Sequence, residues 1–166
     1  MIPPLGKCLQ LILSTFLLLM PFTGSASEKP PSTKEANDFQ TISAEMRSRK
    51  LPLLLAFRAE YCGFCRQLEN EYLIPMQQDQ RYTERILIRS FTLGATETLT
   101  DFDGKKLEAE TFTNRYSASL TPTLVFLDAD GKEVAERLLG YSNPDFYGSY
   151  LESAIDAAYK AVNGKM

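Results

Sequence analysis

Two cysteines three positions apart, in Cys62-Gly63-Phe64-Cys65, are the side chains of this chain best suited to chemistry. On one helical turn they share a face and lie close enough to close into a disulfide. The run before them, Leu51 to Phe57, reads as a buried strand, and the run after them, Arg66 to Leu73, reads as a helix. A CxxC at a strand-to-helix junction is a redox signature. The unpaired N–H groups and dipole of a helix start favour a thiolate at its first cysteine. Cys62 is therefore the candidate nucleophile. Cys65 is the candidate resolving thiol, which displaces a substrate from the mixed disulfide. Gly63 and Phe64 tune how strongly the thiolate is favoured. A purely structural disulfide fits less well, because such bridges gain stability with loop length and this loop is nearly the shortest available.

Composition narrows the alternatives. The chain has 166 residues and no histidine. That removes Ser-His and Cys-His nucleophilic pairs and imidazole acid-base catalysis. A zinc site needs about four ligands, and two thiols without histidine do not supply them, so no metal is expected. A formal net charge of -3 excludes a strongly basic nucleic-acid binder. The expected redox agent is the Cys62-Cys65 pair itself, with no other cofactor.

The first residues have the pattern of an export signal. Lys7 is the only charge before Glu28, an apolar run spans Leu11 to Met20, and Pro21 and the small residues Gly24-Ser25-Ala26 follow. This predicts a cleavable leader over residues 1–26, cut after Ala26. An uncleaved anchor is the alternative, but the run is shorter than the roughly 20 residues a span needs. Cys8 lies ahead of the run, on the wrong side for a lipoprotein acceptor. Cleavage removes Lys7 and Cys8, which leaves a net charge of -4 and two cysteines, Cys62 and Cys65. Such a chain would keep its thiol pair in an oxidising compartment, the periplasm or another exported location.

Residues 27–34 read as a polar, proline-bearing linker. A domain is expected over residues 35–162, followed by a short tail over 163–166. Phe39, Ile42 and Met46 recur at helical spacing within Glu35 to Arg49. The helix that starts at the CxxC should end or kink near Leu73, because Pro75 follows. Arg85 to Phe91 alternates like a strand. Residues 94–106 are polar and turn-rich, and 107–116 look helical. Thr123 to Leu127 is a buried strand, and Asp128-Ala129-Asp130-Gly131 a turn. Glu133 to Leu139 is expected to return as the second strand of a hairpin. Asn143-Pro144-Asp145 has the chemistry of a helix start, and that helix runs to about Val162. The order predicts an α/β fold with a central sheet of about four strands and helices on both faces. Asp101-Phe102-Asp103-Gly104 and Asp128 to Gly131 each look like the start of a calcium loop. Neither continues with the remaining ligands, so both read as turns.

One further element is Leu120-Thr121-Pro122-Thr123. A proline at the mouth of a buried strand usually marks a strand boundary; a cis peptide is the less common reading. Ala56 to Cys65, Thr121 to Asp128, Gly131-Lys132-Glu133 and Gly140-Tyr141 together resemble the thioredoxin superfamily, over about residues 35–162. Within it, the chain is similar to the exported group that includes SoxW-type thioredoxins, which share Leu-Glu after the CxxC and Thr before the proline. The resemblance implies a thioredoxin fold in which Thr121-Pro122 is the cis-proline loop beside Cys62. The Thr121 backbone would pair with an extended substrate segment, and Leu139-Gly140 would form the neighbouring rim of the groove.

The departures concern tuning. The best-known thioredoxins carry a buried Asp where this chain has Ala56, and it moves a proton to or from the resolving thiol. Glu60 is the nearest carboxylate in sequence and the candidate substitute; a solvated loop acid is its other reading. Arg58 and Tyr61 stand where those thioredoxins have tryptophan, and Phe64 replaces a proline. Arg58 or Arg66 near Cys62 would favour the thiolate by Coulomb attraction; otherwise both are surface charges. Three functions compete. The first is a reductase of exported protein disulfides, recharged by a membrane thiol donor and acting as a monomer. The second is an oxidase or isomerase using the same cysteines. The third is a non-catalytic module with a static disulfide.

Overall fold

A computed structural model of the chain describes residues 32–141 and 144–164. The leader, its cut after Ala26, Cys8 and the expected helix cap at Asn143 lie outside the described residues. Among the described residues no helix is long and apolar enough to cross a membrane. The elements run α1 (Phe39–Arg49), β1 (Leu53–Arg58), α2 (Gly63–Leu68), a π-helical turn (Glu69–Leu73), α3 (Ile74–Gln78), α4 (Gln80–Thr83) and β2 (Leu87–Thr92). They continue with β3 (Thr98–Thr100), β4 (Lys106–Glu108), α5 (Ala109–Arg115), β5 (Thr123–Leu127), β6 (Leu138–Leu139) and α6 (Pro144–Asn163).

The main sheet has the order β2-β1-β5-β6, with β1 parallel to β2 and the other neighbours antiparallel. β1 is hydrogen-bonded on both edges, which is why its sequence is almost continuously apolar. Its alternation sorts side chains to two cores. Leu53, Leu55 and Phe57 face α1 and α5, where they meet Phe39, Phe91, Phe112 and Val125. Leu54 and Ala56 face the other way, toward Leu68, Ile88, Phe126 and the α6 residues Leu151 and Ile155. The expected α/β sheet of four strands with helices on both faces is what forms. α1 starts at Asp38, whose carboxylate accepts the Thr41 N–H at 3.0 Å.

Four local expectations need correction. Pro75 does not end the helix, which continues to Gln78. The π-helical turn absorbs the proline: the Ile74 N–H donates to the Glu69 carbonyl five residues back, so Pro75 falls in a first turn, where its missing N–H costs nothing. Residues 94–106 are not all turn; they contain β3 and the start of β4, paired as a small hairpin with Leu99 buried in the first core. The predicted strand Glu133 to Leu139 shrinks to Leu138–Leu139 plus a bridge from Glu133 to Leu127. Its middle leaves the ladder because Arg137 turns inward to Glu133 and to the Tyr116 carbonyl. Thr33 and Lys34, read as the end of a free linker, run beside β2 instead: Thr33 is buried, and the Ser90 N–H donates to the Lys34 carbonyl at 2.9 Å.

The first core is an aromatic cluster centred on Phe112, whose ring stacks on Phe39 at 4.4 Å and meets Phe91 and Tyr116 edge-on or tilted. Phe112→Ala is expected to destabilise the protein by about 3–5 kcal/mol, the range for emptying a buried aromatic site. A urea unfolding curve checks this. The hairpin is tied to α5 by Arg115, which donates two bonds to Asp101 at 2.8 and 2.6 Å. That pairing holds the Asp101 carboxyl below its ordinary 3.8. The stabilisation is therefore complete above the ordinary value and disappears as pH falls through the depressed folded one. Arg115 is partly exposed, so screening limits the effect: Asp101→Asn should cost about 0.5–1 kcal/mol at pH 7 and nothing in strong acid. Unfolding curves of both proteins across pH test the convergence.

Candidate redox site

β1 ends at Arg58, and a turn over Ala59 to Tyr61 delivers Cys62 to the start of α2, with the Cys62 N–H on the Ala59 carbonyl at 3.3 Å. Cys62 is the N-cap residue of the helix, in extended conformation. It is joined to Cys65 by a disulfide with an S–S distance of 2.04 Å. The Cys65 N–H donates to the Cys62 sulfur at 3.0 Å. A thiolate formed there on reduction would keep that bond and gain the field of the helix start. The two sulfurs are not equivalent in access. Cys62 is half-buried, whereas the Cys65 residue is 6% exposed.

The second element arrives from across the sheet. The Thr121-Pro122 peptide is cis, as the resemblance implied and strand-boundary reasoning did not. The Thr121 carbonyl oxygen lies 3.8 Å from the Cys62 sulfur. The Gly140 N–H donates to the Pro122 carbonyl at 2.8 Å, and Leu139 pairs with Thr123. Thr121, Pro122, Leu139 and Gly140 are thus brought to one ledge beside Cys62. Tyr61, at 89% exposure, and Phe64, Leu120 and Leu139 present apolar surface around it. Gly140-Tyr141 is anchored to the helix by the Tyr141 hydroxyl, which donates to Glu71. Burial and that carboxylate push the hydroxyl's pKa up, while the Tyr141 and Gln67 hydrogen bonds hold the Glu71 carboxyl down.

The charged residues singled out from sequence are placed differently. Glu60 is exposed on the loop, so it is the solvated acid and not a replacement for a buried one at Ala56. Arg66 is exposed as well. Arg58 is half-buried, but its bonds go to the Thr92 hydroxyl at 2.9 Å and to Glu69 at 2.7 Å. Its charge is spent on a carboxylate and not on Cys62. Glu69, the acid of the Leu-Glu pair after the CxxC, has a burial and a set of partners that sequence reasoning did not assign to it. Its residue is 7% exposed, and it accepts the Thr33 N–H at 2.7 Å and the Thr33 hydroxyl in addition to Arg58. The signal was present as two opposite charges on faces expected to be buried. Arg58 alternates with Ala56 and Leu54 on β1, and Glu69 lies beside Leu68, one turn after Cys65.

A family model described as a thioredoxin-like domain matches residues 39–155. The chain belongs to the thioredoxin-like family. No curated protein sequence matches it. Among solved structures it is similar to a thioredoxin-fold protein from Helicobacter pylori, with 20% identity and a TM-score of 0.51, over 68% of this chain and 77% of that one. It is also similar to mitochondrial thioredoxin 3 from Saccharomyces cerevisiae in its oxidised form, with 17% identity and a TM-score of 0.50, over 75% of this chain and 93% of that one. Thioredoxin from Malassezia sympodialis gives 14% identity and a TM-score of 0.50, over 80% and 98% of the two chains. These likenesses fix the thioredoxin fold. A thioredoxin-like domain that carries a closed CxxC pair is equipped, as a general class, for thiol-disulfide exchange.

The asymmetry of the pair gives a direct test. In the reduced protein, a limiting amount of iodoacetamide should alkylate Cys62 faster than Cys65 by about tenfold, the factor that about 1.4 kcal/mol supplies. Peptide mapping by mass measures the ratio. Equal labelling would contradict the burial of Cys65.

Proposed function

We propose that the chain is an exported thiol-disulfide oxidoreductase that works mainly as a reductase of protein disulfides. The observation that carries the exchange chemistry is the pairing of an accessible Cys62 at a helix start with a buried Cys65, beside the Thr121-Pro122 ledge. Cys62 is the attacking thiolate and Cys65 resolves the mixed disulfide. An extended substrate segment would lie along the ledge, its backbone on Thr121 and its flanking side chains on Tyr61, Phe64 and Leu139. Export to the periplasm is supported by the leader pattern over residues 1–26, with cleavage near Ala26. A pair confined to that compartment needs its electrons delivered across the membrane, so a membrane thiol donor is the partner that fits. The domain is proposed to act as a monomer, with no nucleic-acid partner and no cofactor beyond the disulfide.

Two other uses of the same site make different predictions. An oxidase or isomerase would keep the pair oxidising, with a reduction potential nearer about -120 mV than the about -270 mV of a reductase of the thioredoxin kind. A binding module would hold a disulfide that resists reduction in the folded state. Reductase action predicts catalysed reduction of insulin by dithiothreitol, lost in Cys62→Ser. It also predicts a potential at the reducing end when the pair is equilibrated against glutathione or dithiothreitol. Absence of insulin reduction by the unaltered protein would refute the reductase reading, and a potential at the oxidising end would favour the oxidase.

A further inference from the structure

The resolving step contains a proton that the exchange reading leaves without a destination. In the dithiol form Cys65 carries a hydrogen, and its sulfur attacks only as the thiolate. The residue is almost fully removed from water, and burial in apolar surroundings makes a thiol harder to ionise. A base has to be near it. Among the described residues Glu69 is the one buried carboxylate. It follows Cys65 by four positions, so the two side chains leave the same face of the helix. Both line a cavity of about 10 Å³, together with Ala56, Ser90 and Pro122. That is about the space needed for one water molecule.

The remaining contacts leave the carboxylate able to accept one more proton. It has about four lone-pair positions. The Thr33 N–H and the Thr33 hydroxyl occupy Oε1, and Arg58 Nη1 occupies one position on Oε2. Arg58 supplies the opposite charge beside it, at 2.7 Å. The Ser90 hydroxyl bonds to Thr33 Oγ1, which fixes the far side of the arrangement to β2.

We propose that Glu69 is the proton acceptor for Cys65, reached through one water in this cavity. This rests on reading Cys62-Cys65 as an exchanging pair. The Cys62 thiolate attacks a substrate disulfide and one substrate sulfur leaves as a thiolate. Cys65 then attacks the Cys62 sulfur. As the Cys62-Cys65 bond forms, the Cys65 proton passes to Glu69, and the bond from Cys62 to the substrate breaks with its electron pair on the second substrate sulfur. The two substrate thiolates take protons from solvent, to which Glu69 returns its own. Two protein thiols are oxidised and one substrate disulfide is reduced. In the opposite direction the same group returns a proton to Cys65. Thr33 lies outside residues 39–155, so the acid is held partly by a segment beyond the stretch matched by the family.

The test separates the two chemical steps. The reduced full chain is mixed with glutathione disulfide, quenched in acid at intervals, and the mixed disulfide on Cys62 is followed by mass. In Glu69→Gln the mixed disulfide should form but resolve about 100-fold more slowly than in the unaltered protein at pH 7, within the usual span of a general base. The deficit should shrink as pH rises past the about 8.5 of an unperturbed thiol. The double variant Glu69→Gln with Arg58→Met removes the unpaired cation, and it should remain slow with the same pH recovery. It also carries the test if the single variant does not fold. Resolution at the unaltered rate in Glu69→Gln, or a rate restored in the double variant, would overturn the assignment by showing that Glu69 only balances Arg58. Failure of the unaltered protein to form any mixed disulfide would instead bring down the exchange reading, and the role of Glu69 with it.

Discussion

A carboxylate cannot be buried alone, and the region around the disulfide is organised by that requirement. Stripping water from Glu69 without compensation would cost several kcal/mol. Three separate parts of the chain supply the compensation. Arg58 comes from the end of β1, Thr33 from the segment ahead of α1, and Ser90, through Thr33, from β2. Each partner is also part of the scaffold that presents the cysteines. Arg58 is the last residue of the strand that leads to Cys62, and Glu69 directly follows the helix that Cys62 caps. The contact therefore ties the end of the CxxC helix to the end of β1. Removing one partner would leave an uncompensated charge, which costs far more than removing both.

The same constraint accounts for the run of helix beyond the cysteines. Glu69 opens the π-helical turn, whose extra residue changes the register between the α2 face that carries Cys65 and the α3 face that carries Met76. With that change Leu68, Leu73 and Met76 all reach the second core while Pro75 is accommodated. A regular α-helix would place the proline ring against the carbonyl four residues back and lose that bond. The turn thus reconciles a continuous buried face with a proline that local rules read as a stop or a kink.

How legible these features were in sequence follows from the range of the interactions involved. The strands Leu53–Arg58, Leu87–Thr92 and Thr123–Leu127 and the helices α1, α5 and α6 are written in local hydrophobic periodicity, and each appears within a few residues of its expected place. The CxxC at the helix start is equally local. What failed depended on contacts between distant residues. The inward turn of Arg137 toward the Tyr116 carbonyl breaks the expected edge strand. The burial of Leu99 converts a polar stretch into a hairpin. Thr33 becomes ordered because a carboxylate 36 residues later needs a donor. Sequence proximity offered Glu60, two residues from Cys62, as a candidate acid beside its reading as a solvated loop acid. Helical periodicity, which brings residue i+4 back under residue i, points to Glu69 for Cys65 instead.

Ala56 acquires a meaning from this arrangement. Its position on β1 faces the same side as Arg58 and pairs with Ser90, beneath the helix that bears Cys65. An acid on that strand would reach the thiol across the gap between sheet and helix, and its distance would vary with the packing of the two layers. With alanine there, the space becomes part of the small cavity, and the acid stands on the helix itself. Its spacing from Cys65 is then set by one helical turn. The cost is that the acid must be held against its own desolvation from outside the helix, and Arg58 and Thr33 do this. Moving the carboxylate from strand to helix thus exchanges a dependence on layer packing for a dependence on a strand-end arginine and on the segment ahead of α1.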